Sequence, residues 1–287
     1  MSTLSITVIQ ADLHWENKTA NLLMLEEKIF DIQEKTEVVV LPEMFSTGFS
    51  MRPELLAEDM SGETIQWMKR VAAQKRIILT GSFICRDAVN GLAVNTSNTV
   101  QSAGSAPIHY YNRLIWMQPD GRYGIYDKRH LFAFAGESNH YTAGAKRIIT
   151  SVNGWKINLQ VCYDLRFPVW ARQQQQSSDV EYDLLIYVAN WPERRRLAWK
   201  TLLRARAIEN QCYVIGVNRV GKDGNNIHYC GDSMVIDPLG EVLYHKKDEE
   251  DIVTINLEKQ YLQTVRQQFP FLIDADRFVI LKDEQKA

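Results

Sequence analysis

Apolar and polar residues alternate from Leu4 to Ile9, the period-two pattern of a strand. From Asn21 to Gln33 the apolar positions Leu22, Leu25, Ile29 and Ile32 fall at helical spacing, and Val38-Val39-Val40-Leu41 follows as a short apolar run stopped at Pro42. A second helix is predicted from Ser61, with Ile65, Met68 and Ala72 on one face, leading into an apolar strand over Ile77 to Ile84. Further strands are predicted over Thr96 to Val100, Ile108 to Trp116 and Tyr123 to Tyr126.

The second half repeats this logic without detectable residue identity. Trp155 to Cys162 reads as a strand, Pro168 to Gln174 as a short helix, and Leu184 to Val188 as a buried strand ending at Asn190-Trp191-Pro192. Arg194 to Asn210 predicts a long amphipathic helix carrying Leu197, Leu202, Leu203 and Ile208, followed by an apolar strand over Cys212 to Val217. Ser233 to Ile236 and Val242 to Tyr244 flank the turn Asp237-Pro238-Leu239-Gly240 as a hairpin, and Ile252 to Leu257 adds a last strand before a short helix and a tail. Helices alternating with strands too apolar to face water predict a layered α/β domain with helices covering the sheet faces. No Pro/Gly/Ser-rich linker divides the chain, so one domain is expected over 1–287, with its core at about 4–257 and a C-terminal tail at 258–287. Gln173 to Gln176 with Ser177-Ser178 reads as a loop extension.

Composition narrows the function classes. The 33 basic and 35 acidic residues leave a net charge of −2, which gives no field for nucleic acid or anionic lipid. The N-terminus lacks a basic n-region and a long apolar h-region, and no apolar run approaches the roughly 18 residues of a membrane span. A cytoplasmic protein without nucleic-acid or membrane partners is expected. Cys85, Cys162, Cys212 and Cys230 show neither a C-x-x-C pair nor a His partner spacing, so neither a zinc site nor a disulfide framework is predicted.

Three reactive residues stand at strand ends or in polar loops beside them: Glu43 after Val38 to Pro42, Lys128 within Tyr126-Asp127-Lys128-Arg129-His130-Leu131-Phe132, and Cys162 after Trp155 to Val161. The carboxyl ends of strands form the ligand-binding rim of open α/β sheets, so Glu43 and Cys162 could meet there. A thiol suits acyl transfer once a base takes its proton, and a carboxylate whose pKa burial raises toward neutrality can take that proton and return it to a leaving amine. An ammonium and the backbone N–H of Tyr163 can hold the oxyanion. Each residue also has a bland reading: a buried small hydrophobe for the cysteine, solvated turn residues for the other two.

Taken together, the motifs resemble the nitrilase, or carbon–nitrogen hydrolase, superfamily from Ile6 to about Leu257. They are Leu41-Pro42-Glu43 with Phe45 and Gly48; Tyr126 to Phe132 with Gly136-Glu137; and Val161-Cys162-Tyr163-Asp164-Leu165-Arg166-Phe167-Pro168, in the family's order. The resemblance implies a four-layer α-β-β-α sandwich, commonly paired through its helices into a homodimer, and no cofactor or metal. It implies Glu43 as general base, Lys128 as the intermediate-stabilising cation, Cys162 as nucleophile and Glu137 as a second, orienting glutamate. Ala135 stands where relatives often carry Pro before the glycine, which bears on the local loop shape. Within the superfamily, Leu41 to Phe45, Asp127 to Phe132, Tyr187 to Pro192, Ala205 to Gln211 and Asn218 to Gly221 look like the bacterial ω-amidases that act on 2-oxoglutaramate and related 2-oxo acid amides.

Such a small-molecule amide carries a carboxylate remote from the scissile bond, and Arg195 in the run Arg194-Arg195-Arg196 is the first choice to bind it. Arg166 is the competitor, unless it pairs internally with Asp164 or with neighbours of Glu43. Phe45, Phe132, Tyr163 and Trp191 are candidate walls, equally expected in core packing. His130 invites comparison with a Cys/His dyad, but its charged loop favours a structural role. The alternatives are another carbon–nitrogen hydrolase, such as a nitrilase or carbamoyl-amine amidohydrolase, and a non-catalytic interaction protein on the same scaffold.

Overall fold

The computed structural model describes residues 2–88, 108–173 and 180–281. The expected strand over Thr96 to Val100 and most of the Gln173 to Ser178 loop lie outside them. Gln173 itself is buried, its backbone N–H donating to Asn210 Oδ1 at 2.8 Å and its Oε1 accepting from Tyr182 N–H.

The first half folds as β1 (Thr3–Gln10), α1 (Lys18–Phe30), β2 (Val38–Val40), α2 (Pro53–Leu56), α3 (Glu63–Lys75), β3 (Ile78–Ala88), β4 (Ile108–Met117) and β5 (Tyr123–Asp127). Asn17 caps α1 by accepting from Ala20 N–H, and Glu58 caps α3 by accepting from Thr64 N–H. Strands β1, β2 and β3 are parallel, as strand–helix–strand units require; β4 and β5 continue antiparallel.

The second half comprises β6 (Ile149–Val152), β7 (Trp155–Val161), α4 (Pro168–Ala171), β8 (Leu184–Ala189), α5 (Arg196–Asn210), β9 (Tyr213–Asn218), β10 (Val220–Lys222), β11 (His228–Ile236), β12 (Val242–Lys247), β13 (Asp251–Glu258) and α6 (Lys259–Gln268). Its sheet runs β10-β11-β9-β8-β7-β6, with β12 also on β11, and again β7, β8 and β9 are parallel. The final strand does not join this sheet. β13 crosses back to lie antiparallel to β1 over eight residue pairs, Thr3↔Glu258 to Gln10↔Asp251, making the first sheet β13-β1-β2-β3-β4-β5.

Alternation within each strand explains the layers. Val38 and Val40 belong to the cluster shared with Leu159 and Val161 of the facing sheet, whereas Val39 packs with Leu25, Ile29 and Met68 of the covering helices. Both faces of β2 are therefore apolar, and the architecture is helix, sheet, sheet, helix.

Helix α5 corrects its expected face. Leu203 is buried, but Leu197 is 75% and Ile208 53% exposed; Trp199, Arg206, Ala207 and Asn210 form the buried stripe instead. Arg206 can be buried because its Nη2 donates to the Leu165 carbonyl at 2.6 Å and its Nη1 to Glu209 at 3.0 Å. No helix among the described residues is long and apolar enough to cross a membrane.

Candidate active site

Glu43, Lys128 and Cys162 follow β2, β5 and β7 respectively, and the two sheets bring these strand ends together. Lys128 Nζ donates to Glu43 Oε1 at 2.9 Å and to Glu137 Oε1 and Oε2 at 3.0 and 2.9 Å, with all three side chains fully buried. Cys162 lies near enough to Glu43 for that carboxylate to raise the pKa of its thiol, and its Sγ is 4.0 Å from the Asn190 carbonyl.

Local backbone presents each group. Cys162 adopts φ +44°, in the left-handed region that a non-glycine residue enters only under constraint, so the chain turns sharply from β7 into a 3-10 turn over Cys162–Arg166. Asp164 supplies the constraint. Its Oδ2 accepts from Val161 N–H at 3.0 Å and the Tyr126 hydroxyl at 2.7 Å, while its Oδ1 accepts from His130 N–H at 2.9 Å and contacts His130 Nδ1 at 2.8 Å. The cysteine turn and the lysine loop are thereby tied together. His130 stacks on Phe167 at 3.9 Å and belongs to this tie, not to the lining around Cys162. Gly136, at φ +80°, separates two 3-10 turns and lets Glu137 point inward, where Phe132 N–H donates to Glu137 Oε2 at 2.5 Å.

Burial dominates the electrostatics. It pushes the Cys162 thiol well above its ordinary pKa, with the Glu43 charge adding and Lys128 opposing, so the resting group is a neutral thiol. Burial also raises Glu137 despite the Lys128 charge. For Lys128 burial opposes the ammonium, but Glu137 and Glu43 outweigh it and hold its pKa above the usual lysine range. A proton on sulfur, a carboxylate beside it and a fixed cation can support nucleophilic attack with proton transfer in the same step.

Cys162 and Lys128 border a slot of about 60 Å³, also lined by Phe49, Phe132, Tyr163, Arg166, Trp191, Arg195 and Tyr229. Arg195 lies over the Phe132 ring at 4.8 Å and Arg166 over Trp191 at 4.9 Å. Among the described residues Arg166, Arg194 and Arg195 form no ion pair with a carboxylate, and Asp164 is occupied by His130 and Tyr126. Burial, then the neighbouring Arg194, lower the pKa of Arg195, the condition an incoming anion would relieve. Phe45 is placed elsewhere, in the helix-covered core against Trp67 at 5.8 Å, where Gly81 leaves it room. Its expected place as a wall is corrected by the turn after β2, where Met44 takes φ +44° and the chain sends Glu43 to the site and Phe45 toward the helices.

Sequence reasoning missed Asn112, Asn190, Phe49 and Tyr229. Asn190 donates its backbone N–H to Glu43 Oε2 at 2.8 Å and its side-chain amide to the Glu43 carbonyl. Its position just beyond β8 obeys the strand-end rule that nominated Glu43, and that signal was available. Asn112, in mid-strand, had none. A wider depression of about 430 Å³ lies at Lys156, Asp183, Lys259 and Arg266, but Asp183 already pairs with Lys259 and Arg266. Near the outer end of β11, Glu193, Cys230 and Asp248 bring ligand-type atoms within 4.8 Å of one another, with His228 on Glu193 at 2.8 Å and Lys247 on Asp248 at 2.6 Å.

Comparison with known proteins agrees with this geometry. The chain is 43% identical over 284 residues to the omega-amidase YafV of Yersinia enterocolitica, covering 98% of this chain and all of that one. It is 32% identical over 275 residues to the 2-oxoglutaramate amidase of Bacillus subtilis, covering 94% and 96%. A CN-hydrolase superfamily protein of Xanthomonas campestris, solved with an arsenic adduct in its active site, superposes with a TM-score of 0.87 at 40% identity, covering 98% of this chain and all of that one. Residues 5–267 match the Carbon-nitrogen hydrolase family, and the chain is a member of it.

Proposed function

We propose that this protein is an ω-amidase that hydrolyses the terminal amide of 2-oxo acid amides, 2-oxoglutaramate and 2-oxosuccinamate, to the 2-oxo dicarboxylate and ammonia. The observation that carries the reading is the slot itself: buried Cys162 and Lys128, the latter paired with Glu43 and Glu137, together with arginines that form no ion pair with a carboxylate among the described residues. The similarity to named ω-amidases supports it.

In the proposed cycle Glu43 accepts the Cys162 proton as sulfur attacks the amide carbon. The Tyr163 N–H and Lys128 hold the oxyanion. Lys128 already makes three contacts to carboxylate oxygens, so it serves the oxyanion by relaxing its two-oxygen hold on Glu137. Glu43 returns the proton to the departing nitrogen, ammonia leaves, and water activated by Glu43 cleaves the thioester. Glu137 orients Lys128. Arg195 takes the substrate carboxylate, with Arg166 beside it and Phe132, Tyr163 and Trp191 as walls. No cofactor enters the cycle. The core over about 4–257 acts as one unit, since Glu43 and Cys162 come from opposite halves. Four free, buried thiols support a cytoplasmic site of action. A homodimer packed through the exposed face of α5 completes the proposal.

Ammonia release from 2-oxoglutaramate, compared with glutamine, asparagine and a simple nitrile, tests the substrate. We expect 2-oxoglutaramate to be preferred, and the Cys162→Ala and Lys128→Ala variants to lose at least about 10²–10³ in rate. A preference for glutamine or the nitrile, or a folded variant of near-normal activity, would overturn the respective assignment.

A further inference from the structure

Asn112 lies in the middle of β4, away from the strand ends that carry Glu43 and Cys162, yet it touches three members of the site. Its side-chain Nδ2 donates to Glu43 Oε1 at 2.7 Å and to Glu137 Oε1 at 3.3 Å, and its backbone carbonyl accepts from Lys128 N–H at 3.0 Å. An amide NH₂ has two protons, and both are given to the carboxylates. The orientation is fixed by charge, because the flipped amide would aim Oδ1 at two carboxylates. Oδ1 is buried and has no hydrogen-bond partner among the described residues, so the donating end accounts for the polar contacts of this side chain.

Glu43 consequently has two unlike oxygens. Oε1 accepts from both Lys128 and Asn112, whereas among the described residues Oε2 accepts only the Asn190 N–H. We propose that Asn112 is a positioning residue for the hydrolysis described above, on which this inference rests: it pins Glu43 Oε1, screens Glu43 from Glu137, and reserves Oε2 for the thiol proton. Two carboxylates facing one ammonium repel each other, and a neutral donor shared between them favours the ionised base without adding a second positive charge. The other titratable groups facing this pair are Lys128, Cys162, and the phenols of Tyr141 and Tyr229, both held protonated chiefly by burial. None of them bridges the two carboxylates as Asn112 does.

The experiment measures kcat and KM between pH 5 and 9 for Asn112→Leu and Asn112→Asp, with circular dichroism melting to establish folding. The substrate is 2-oxoglutaramate or, should it not turn over, whichever amide releases ammonia fastest. Loss of a charge-assisted donor predicts a fall in kcat of about ten- to a hundredfold, with KM changed by less than about twofold because Asn112 does not line the slot. The acid limb of kcat/KM moves to higher pH in both, further in Asn112→Asp, whose third carboxylate disfavours the ionised base more than loss of the donor alone. A folded variant whose acid limb stays in place, or whose loss lies in KM, overturns the proposal. Asn112→Asp preserves shape, so it carries the test if Asn112→Leu fails to fold; unfolding of both assigns the residue to stability and also overturns it. Glu43→Gln separates the two readings. If that variant stays active the mechanism itself fails, and if it is dead while the Asn112 variants keep the parent pH profile, only the positioning role fails.

Discussion

At Cys162 a left-handed backbone, a buried thiol and a neighbouring carboxylate converge, and only the residue type was visible in the chain. Glu43, Lys128 and Cys162 could be nominated because reactive residues at the ends of apolar runs are conspicuous. Phe45 could not be separated from Phe132 on the same grounds, since an aromatic beside a motif suits a core as well as a wall. The structure puts Phe132 in the slot and Phe45 against Trp67. The two competing arginines are separable by experiment. Arg195→Leu is expected to raise KM for 2-oxoglutaramate by about tenfold or more, the worth of a charge-assisted contact, with a smaller effect on kcat. Arg166→Leu is expected to change KM less, and steady-state kinetics showing the reverse order would assign the substrate carboxylate to Arg166.

At the scale of elements, helix α5 shows what periodicity reports and what it omits. Helical spacing predicted its existence and nearly its bounds, but assumed that leucine and isoleucine face inward. Arg206 and Asn210 turn inward instead, because the turn after β7 and the segment after α4 offer them partners in Leu165 and Gln173. Leu197 and Ile208 are left outside, and at 100° per residue their separation of eleven positions returns them to almost the same angle on the helix. Two exposed apolar side chains on one face of an outer helix, with Thr201 and Arg204 between them, are the candidate contacts for pairing with a second copy. Sedimentation of the Leu197→Asp/Ile208→Asp variant is therefore expected to show a monomer where the parent shows a dimer, with little change in melting temperature. A parent that sediments as a monomer would remove the dimer from the proposal.

At the scale of the whole molecule, the four free thiols act together. Burial pushes Cys85 and Cys230 up to about 12 and raises Cys162 and Cys212 as well, while unfolded cysteines ionise near about 8.5. Their stabilisation is complete below the unfolded pKa, and it declines as pH rises toward the folded values, because the unfolded chain then binds fewer protons than the native one. Each such thiol removes about 1.4 kcal/mol per pH unit in that window. The urea midpoint is expected to fall steeply from pH 9 to 11, and less steeply in Cys212→Ala; a flat midpoint through pH 10 would refute this. What the chain determined by itself was local: where strands and helices lie, and which reactive residues stand at their ends, because apolar periodicity is written in neighbouring positions. Tertiary structure decided the rest. It sent β13 to the edge of the first sheet, chose the buried face of α5, turned Phe45 from the slot, and set Asn112 and Asn190 against Glu43. Those outcomes depend on which partners lie across a sheet or helix interface, and contacts between residues far apart in sequence leave no period in the sequence to read.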